Sequence, residues 1–137
     1  MSARPPAASE TELGGDLVLL SVPADGAYLG VLRTAAAGLA ARLHFTLDEI
    51  EDLRIAVDEA CAMLIGLAAP AAPLECRFVV SGEELEVTIA VRANPDGSLP
   101  ATSSLTWQML AALTSAARAA VEDQTATITL TARRTPA

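Results

Sequence analysis

The stretch TLDEIEDLRIAVDEACAMLIGL, residues 46–67, decides the fold because it predicts a long amphipathic helix with a defined start. Thr46 and Glu49 have the spacing of a capping box, in which each side chain satisfies a free backbone amide of the first turn. Apolar residues then recur at helical spacing. They mark one buried face, formed by Ile50, Leu53, Val57, Ala60, Leu64 and Leu67.

Outward from this helix, alternating apolar and polar residues predict four strands, and spacings of three and four predict two more helices. Each strand has one apolar face and each helix one apolar stripe. The predicted fold class is therefore α/β, an α+β two-layer sandwich whose mostly antiparallel sheet carries the helices on one face. The elements are a strand over 16–22, a helix over 27–43, the helix at 46–67, a hairpin of strands 74–80 and 84–91, a helix over 104–121 and a strand over 125–132.

The 137 residues predict one domain over 16–137, preceded by a flexible arm over 1–15. A net charge of −8 and few aromatic residues argue against direct binding of nucleic acid. No apolar run reaches the roughly 18 residues that a membrane span needs, and no signal peptide is visible, so we expect a cytoplasmic protein.

All nine basic residues are arginines, which excludes chemistries that need a P-loop lysine or a kinase strand lysine. Cys61 and Cys76 lie far apart in apolar surroundings, so they predict buried free thiols and no metal site. Trp107 lies on an apolar helical stripe and is expected in the core. His44 follows a helix and is expected to act in its C-terminal cap.

Residues 53–61, LRIAVDEAC, resemble the nucleotide helix of the anti-sigma factor serine kinases (the RsbW and SpoIIAB type), a family with the GHKL or Bergerat ATPase fold. The runs at 105–113 and 128–134 resemble an actinobacterial branch, the mycobacterial UsfX type. The resemblance extends from the first strand to the C-terminus. It implies a GHKL ATPase-like fold over nearly the whole chain.

The resemblance also implies where a nucleotide site stands, and the chain departs from it. Glu59 matches the family's general base, but Met63 replaces the Asn that holds Mg²⁺ and offers no hard oxygen. Ala93 replaces the Asp that binds adenine. Residues 103–106 lack the glycines that cradle phosphates. We therefore expect no cofactor, no metal and no nucleotide, with Glu59, Asn94, Asp96 and Gly97 as residual candidates.

Partner contacts follow from the same resemblance. Arg33 matches a first-helix arginine that in the family contacts both the sigma factor and its antagonist; a plain surface arginine is the alternative. Asp48, Asp52 and Glu59 fall on one face of the 46–67 helix and form a candidate docking stripe for a basic partner helix. The alternative is a solvated face with favourable acids in the first turn.

The predicted function is that of an anti-sigma factor, a degenerate actinobacterial member of the family. It sequesters a sigma factor of the stress or sporulation type, and a STAS-domain anti-anti-sigma protein releases it. A homodimer through the first strand and helix is expected. One alternative is an active kinase that uses Mg-ATP to phosphorylate a serine of its antagonist. Another is a decoy that binds the antagonist alone.

Overall fold

The computed structural model describes residues 15–101 and 103–136, so the predicted arm lies, except for Gly15, outside the described residues. A 3-10 turn at Gly26–Tyr28 precedes the first helix. The helices and strands in chain order are β1 (Asp16–Pro23), α1 (Leu29–Arg42), α2 (Leu47–Ile65), β2 (Pro73–Ser81), β3 (Glu84–Arg92), α3 (Leu105–Leu113), β4 (Ala116–Glu122) and β5 (Thr125–Arg133).

The five strands form one antiparallel sheet in the order β1-β2-β3-β5-β4. Its register aligns Phe78 of β2 with Val87 of β3, and Val87 with Leu130 of β5. These three side chains are fully buried beneath the helices. The opposite face carries polar residues such as Thr88 and Thr129, whose hydroxyls lie 3.4 Å apart. The predicted two-layer class is confirmed.

The predicted helix over 104–121 is wrong in its second half. The helix ends at Leu113, and Thr114 is extended and donates its hydroxyl to the Leu110 carbonyl at 2.7 Å. Residues 116–122 form β4 and pair with β5 along their whole length. Alanine favours helices, but the seven-residue ladder satisfies the backbone groups of this segment and overrides that preference.

The helix ends follow the predicted capping chemistry. Thr46 accepts a hydrogen bond from the Glu49 amide at 3.1 Å, and Glu49 accepts one from the Thr46 amide at 2.7 Å, so the capping box is confirmed. His44 adopts φ 63° after α1, and its amide donates to Ala41, while the Phe45 amide donates to Ala40. This pair of bonds is a Schellman motif, which confirms the cap role of His44.

The core lies between the sheet and the three helices, and it contains Trp107 of α3, which is 7% exposed, as predicted. Cys61 and Cys76 are buried free thiols, also as predicted. Burial, with a contribution from the neighbouring Asp58 carboxylate, raises the pKa of Cys61 to about 12. Burial likewise raises the pKa of Cys76. Among the described residues, no helix is long and apolar enough to cross a bilayer.

Candidate functional site

The outward face of α2 carries the predicted acidic stripe. Asp48 and Asp52 are exposed and Glu59 is half-buried, at the spacings of four and seven that place them on one side of the helix. Ile55, which is 40% exposed, lies on the same side. The stripe is therefore a real geometric feature, and it contains an apolar side chain that the charge pattern alone does not reveal.

Arg33 lies on α1 at the edge facing α2, and its side chain is 38% exposed. Its Nη1 donates to Oδ2 of Asp58 on α2 at 2.8 Å. Asp58 is itself 32% exposed, and its other oxygen, Oδ1, is buried without a hydrogen-bond partner among the described residues. Arg33 is thus tied to the helix that carries the acidic stripe.

Glu59 and Met63 lie one helical turn apart on α2. The resemblance predicts that they stand at the positions of the family's general base and its Mg²⁺-binding Asn. The Met63 side chain is half-buried and packs against the core cluster. A thioether is a poor ligand for Mg²⁺, which prefers oxygen ligands. Glu59 therefore lacks a metal-binding neighbour at this position.

The loop after β3 holds the other nucleotide candidates in structural roles. Ala93 is 4% exposed, and its amide donates to the Gln124 carbonyl at 2.7 Å. Asn94 is committed to the end of α2, because its amide donates to Leu67 and its side-chain Nδ2 to the Ala68 carbonyl at 3.1 Å. Asp96 is exposed. Ala93, which the resemblance aligns with the adenine-binding Asp, has no carboxylate.

Gly97 packs closely against the end of α2. A Cβ there would lie 3.2 Å from the Asn94 carbonyl oxygen and 3.3 Å from Cδ2 of Leu67. The glycine is accounted for by this packing.

The start of α3, where the family's phosphate cradle is expected, is capped by the chain itself. The Ser104 hydroxyl accepts a hydrogen bond from the Trp107 amide at 3.2 Å. This hydrogen bond occupies one of the first-turn amides that would otherwise be available to bind a phosphate. Within residues 15–101 and 103–136, no group of three or more His, Cys, Asp or Glu side chains is placed to hold a metal ion.

Comparison with known proteins places this geometry in a family. The family model described as a histidine kinase-like ATPase domain matches residues 22–112. This match runs from the end of β1 to α3 and includes α2 and the loop after β3. The chain belongs to the histidine kinase-like ATPase domain family.

Two curated relatives are RsbW proteins, a more specific group within this family. RsbW of Bacillus subtilis (strain 168), named a serine-protein kinase, is 40% identical over 78 residues, which cover 55% of this chain and 49% of that protein. RsbW of Bacillus pumilus (strain SAFR-032) is 35% identical over 80 residues, with the same coverage. The predicted kinship with RsbW-type proteins is confirmed. The chain spans about half the length of these curated relatives.

A solved structure supports the fold. The crystal structure of the RsbU and RsbW domains of a Mycobacterium tuberculosis protein superposes with a TM-score of 0.69. It covers 87% of this chain and 32% of the other, at 18% sequence identity. The GHKL ATPase-like fold is thereby confirmed.

The ion pair between Arg33 and Asp58 is the feature that sequence reasoning missed. Asp58 was one acid among several on α2, and its 25-residue separation from Arg33 gives no periodic signal. The faces of the two helices offer a partial signal. Arg33 borders the apolar stripe of α1, next to small residues Gly30 and Ala37, where a second helix can approach closely.

Proposed function

We propose that this chain is a cytoplasmic anti-sigma factor that sequesters an alternative sigma factor of the stress or sporulation type. A STAS-domain anti-anti-sigma protein would release it by competing for the same surface. The proposal is supported by the family membership, by the similarity to RsbW proteins over about half of the chain, and by the position of Arg33.

Arg33 is the single observation that carries the proposal. By the resemblance it matches the family's partner-contact arginine, its side chain is 38% exposed, and it forms an ion pair with Asp58. Arginine is enriched among residues that dominate binding energy at protein interfaces. The acidic stripe of Asp48, Asp52 and Glu59 adds a second recognition element of opposite charge on the neighbouring helix.

Loss of nucleotide binding is part of the proposal. The two side chains that would bind adenine and Mg²⁺ are replaced by Ala93 and Met63, and the phosphate-cradle region is capped by Ser104. Phosphoryl transfer depends on metal and preorganised donors around the phosphates. A pseudokinase that controls its partner by binding alone fits these residues best.

The alternative is an active serine kinase of the antagonist. It is favoured by the name of the RsbW relatives and by Glu59 at the general-base position. It requires Mg-ATP to bind without the Asp and Asn side chains of the family pattern.

A homodimer through β1 and α1 belongs to the same proposal. Four exposed apolar side chains lie in β1, the 3-10 turn and α1: Leu19 is 55% exposed, Val31 46%, Tyr28 42% and Val18 37%. β1 is also an edge strand of the sheet. Exposed apolar groups at an edge strand are typical of an association surface.

The test is a pull-down from the native organism followed by transcription in vitro. Tagged wild-type chain should retain a sigma factor, identified by mass spectrometry, and the purified chain should inhibit transcription by polymerase carrying that sigma factor. Arg33→Ala should reduce both effects, whereas Arg118→Ala, an exposed arginine on β4, should not. Absence of a sigma factor from the wild-type complex would refute the proposal.

A further inference from the structure

The Arg33–Asp58 pair is asymmetric. Arg33 uses Nη1 for Asp58 Oδ2 at 2.8 Å, while the second carboxylate oxygen is buried without a hydrogen-bond partner among the described residues. The pair links α1 to α2, since the two residues are 25 positions apart. Asp58 therefore depends on this one guanidinium for its compensation.

That dependence favours the closed pair. If Arg33 turned away to meet another group, Asp58 would keep a buried oxygen and lose its counter-charge. Removing one member of a buried charge pair is costly because the remaining charge stays desolvated. Exposure of about a third of each side chain reduces this cost without removing it.

The paired guanidinium still has donors to offer. Arginine carries five N–H groups in a planar fork, and Asp58 receives one of them in the structure. Nη2 lies above the first turn of α1, 3.5 Å from the position that a Cβ of Gly30 would occupy. Because Gly30 has no side chain, it does not cover this edge of the guanidinium.

We propose that Asp58 is a positioning residue that holds Arg33 with its free edge outward, ready to receive a carboxylate from an acidic segment of the partner. This inference rests on the proposed function. A planar fork matches the two oxygens of a carboxylate. Fixing a long side chain before association reduces the entropy lost on binding. In the complex, the Arg33 guanidinium would lie between two carboxylates, that of Asp58 and one from the partner.

The negative charge of Asp58 and its positioning of Arg33 predict opposite effects of Asp58→Asn on the affinity for the partner. Removing the negative charge beside Arg33 makes the surface more attractive to an acidic segment, so charge alone strengthens binding. Loss of positioning weakens it, because Asn attracts the guanidinium less strongly. We expect the dissociation constant for the identified sigma factor to rise at least about tenfold, measured by calorimetry on the full chain.

Glu51→Gln provides the matched control. Glu51 forms a second ion pair on α2, with Arg54 at 3.2 Å, and its replacement makes the same change in charge. We expect it to change affinity less than about twofold. Asp58→Glu, which retains the charge, should recover part of the lost affinity. In an Arg33→Ala background, Asp58→Asn should have no further effect.

The outcomes separate this inference from the proposed function. Unchanged or tighter binding by Asp58→Asn, with the wild-type complex intact, overturns the positioning role. An equal loss in the Arg33→Ala background does the same, because Asp58 would then act independently of Arg33. If Asp58→Asn fails to fold, Arg33→Lys replaces it: lysine keeps the charge but lacks the fork, so unchanged affinity overturns the role. A wild-type chain that binds no sigma factor refutes the proposed function and, with it, this role.

Discussion

Replacing Ala93 by Asp and Met63 by Asn tests whether nucleotide binding has been lost at these two positions. The wild-type chain should bind Mg-ATP no more tightly than about millimolar, or about −4 kcal/mol. A hydrogen bond to a charged group contributes about 1.5–3 kcal/mol, which corresponds to about 10- to 150-fold in affinity. The Ala93 methyl cannot make this bond to adenine, and the Met63 thioether cannot bind Mg²⁺.

The structure also sets the expected effect of each change on folding. Ala93 is 4% exposed, so a carboxylate there is desolvated and should lower the free energy of unfolding by about 2–4 kcal/mol. Met63 is half-buried, and Asn should lower it by about 1 kcal/mol. Bound nucleotide should restore part of the stability of the double variant, because a ligand stabilises the state that binds it.

Calorimetry with Mg-ATP and thermal melts of the same samples provide the measurement. The double variant should bind at least about tenfold more tightly than the wild type. Glu122→Gln, a change at an exposed residue of β4, should leave binding unchanged and serves as the control. Micromolar binding by the wild type, about −8 kcal/mol, would refute the reasoning and restore the kinase alternative.

Four further predictions concern stability, assembly and association. Hydrogen bonds from the Thr135 side chain, the Thr46 amide and the Thr135 amide lower the pKa of Glu49 from 4.5 to about 2. Their contribution to the free energy of unfolding should be fully present above pH 4.5 and lost as the pH falls towards 2. Denaturant titrations should therefore show that the small stability advantage of the wild type over Glu49→Gln is smaller at pH 3 than at pH 6. Gln124 has φ 64°, a left-handed conformation that costs energy in a residue with a side chain, so Gln124→Gly should raise the free energy of unfolding by about 1 kcal/mol. Chemical denaturation measures this change, and no gain would show that the left-handed conformation is unstrained. Val31→Glu should convert the proposed dimer to a monomer in light scattering, and a persisting dimer would exclude this surface. The association rate with the sigma factor should fall at least about tenfold between 0.1 and 1 M salt. The double change Asp52→Asn and Glu59→Gln should flatten that dependence, whereas Glu75→Gln on β2 with Glu86→Gln on β3 should not. A salt-independent rate in the wild type would mean that the stripe is a solvated face.

Local signals explain which elements were predictable. The capping box at Thr46 and Glu49 marks the start of α2, and the alternation in β2 and β3 identifies a hairpin. β4 has no comparable signal, because alanine occupies both of its faces and carries no period of two. Its turn is also atypical: Asp123 and Gln124 both have positive φ, at 50° and 64°, where Asn-Gly is the usual sequence. Pairing with β5 decides this segment, and that pairing is a tertiary effect.

The candidate site was predictable where it depends on one helix and not where it depends on two. The stripe of Asp48, Asp52 and Glu59 follows from helical spacing alone. The pairing of Arg33 with Asp58 requires the packing of α1 against α2, which no local pattern specifies. Asn94 shows the same limit, since its hydrogen bonds to Leu67 and Ala68 arise only when the loop after β3 meets the end of α2.

The proposed loss of nucleotide binding has a consequence for how the sigma factor would be released. An active kinase can bias partner exchange by spending ATP to modify its antagonist, but a chain that only binds must exchange partners at equilibrium. The bound fraction of each partner then depends on its concentration relative to its dissociation constant. If the sigma factor and the STAS protein both contact Arg33, they cannot share its free edge, and a tenfold advantage to either corresponds to about 1.4 kcal/mol. The expected tenfold effect of Asp58 on affinity is of this size, and it would shift the balance to the extent that the two partners depend unequally on the oriented guanidinium.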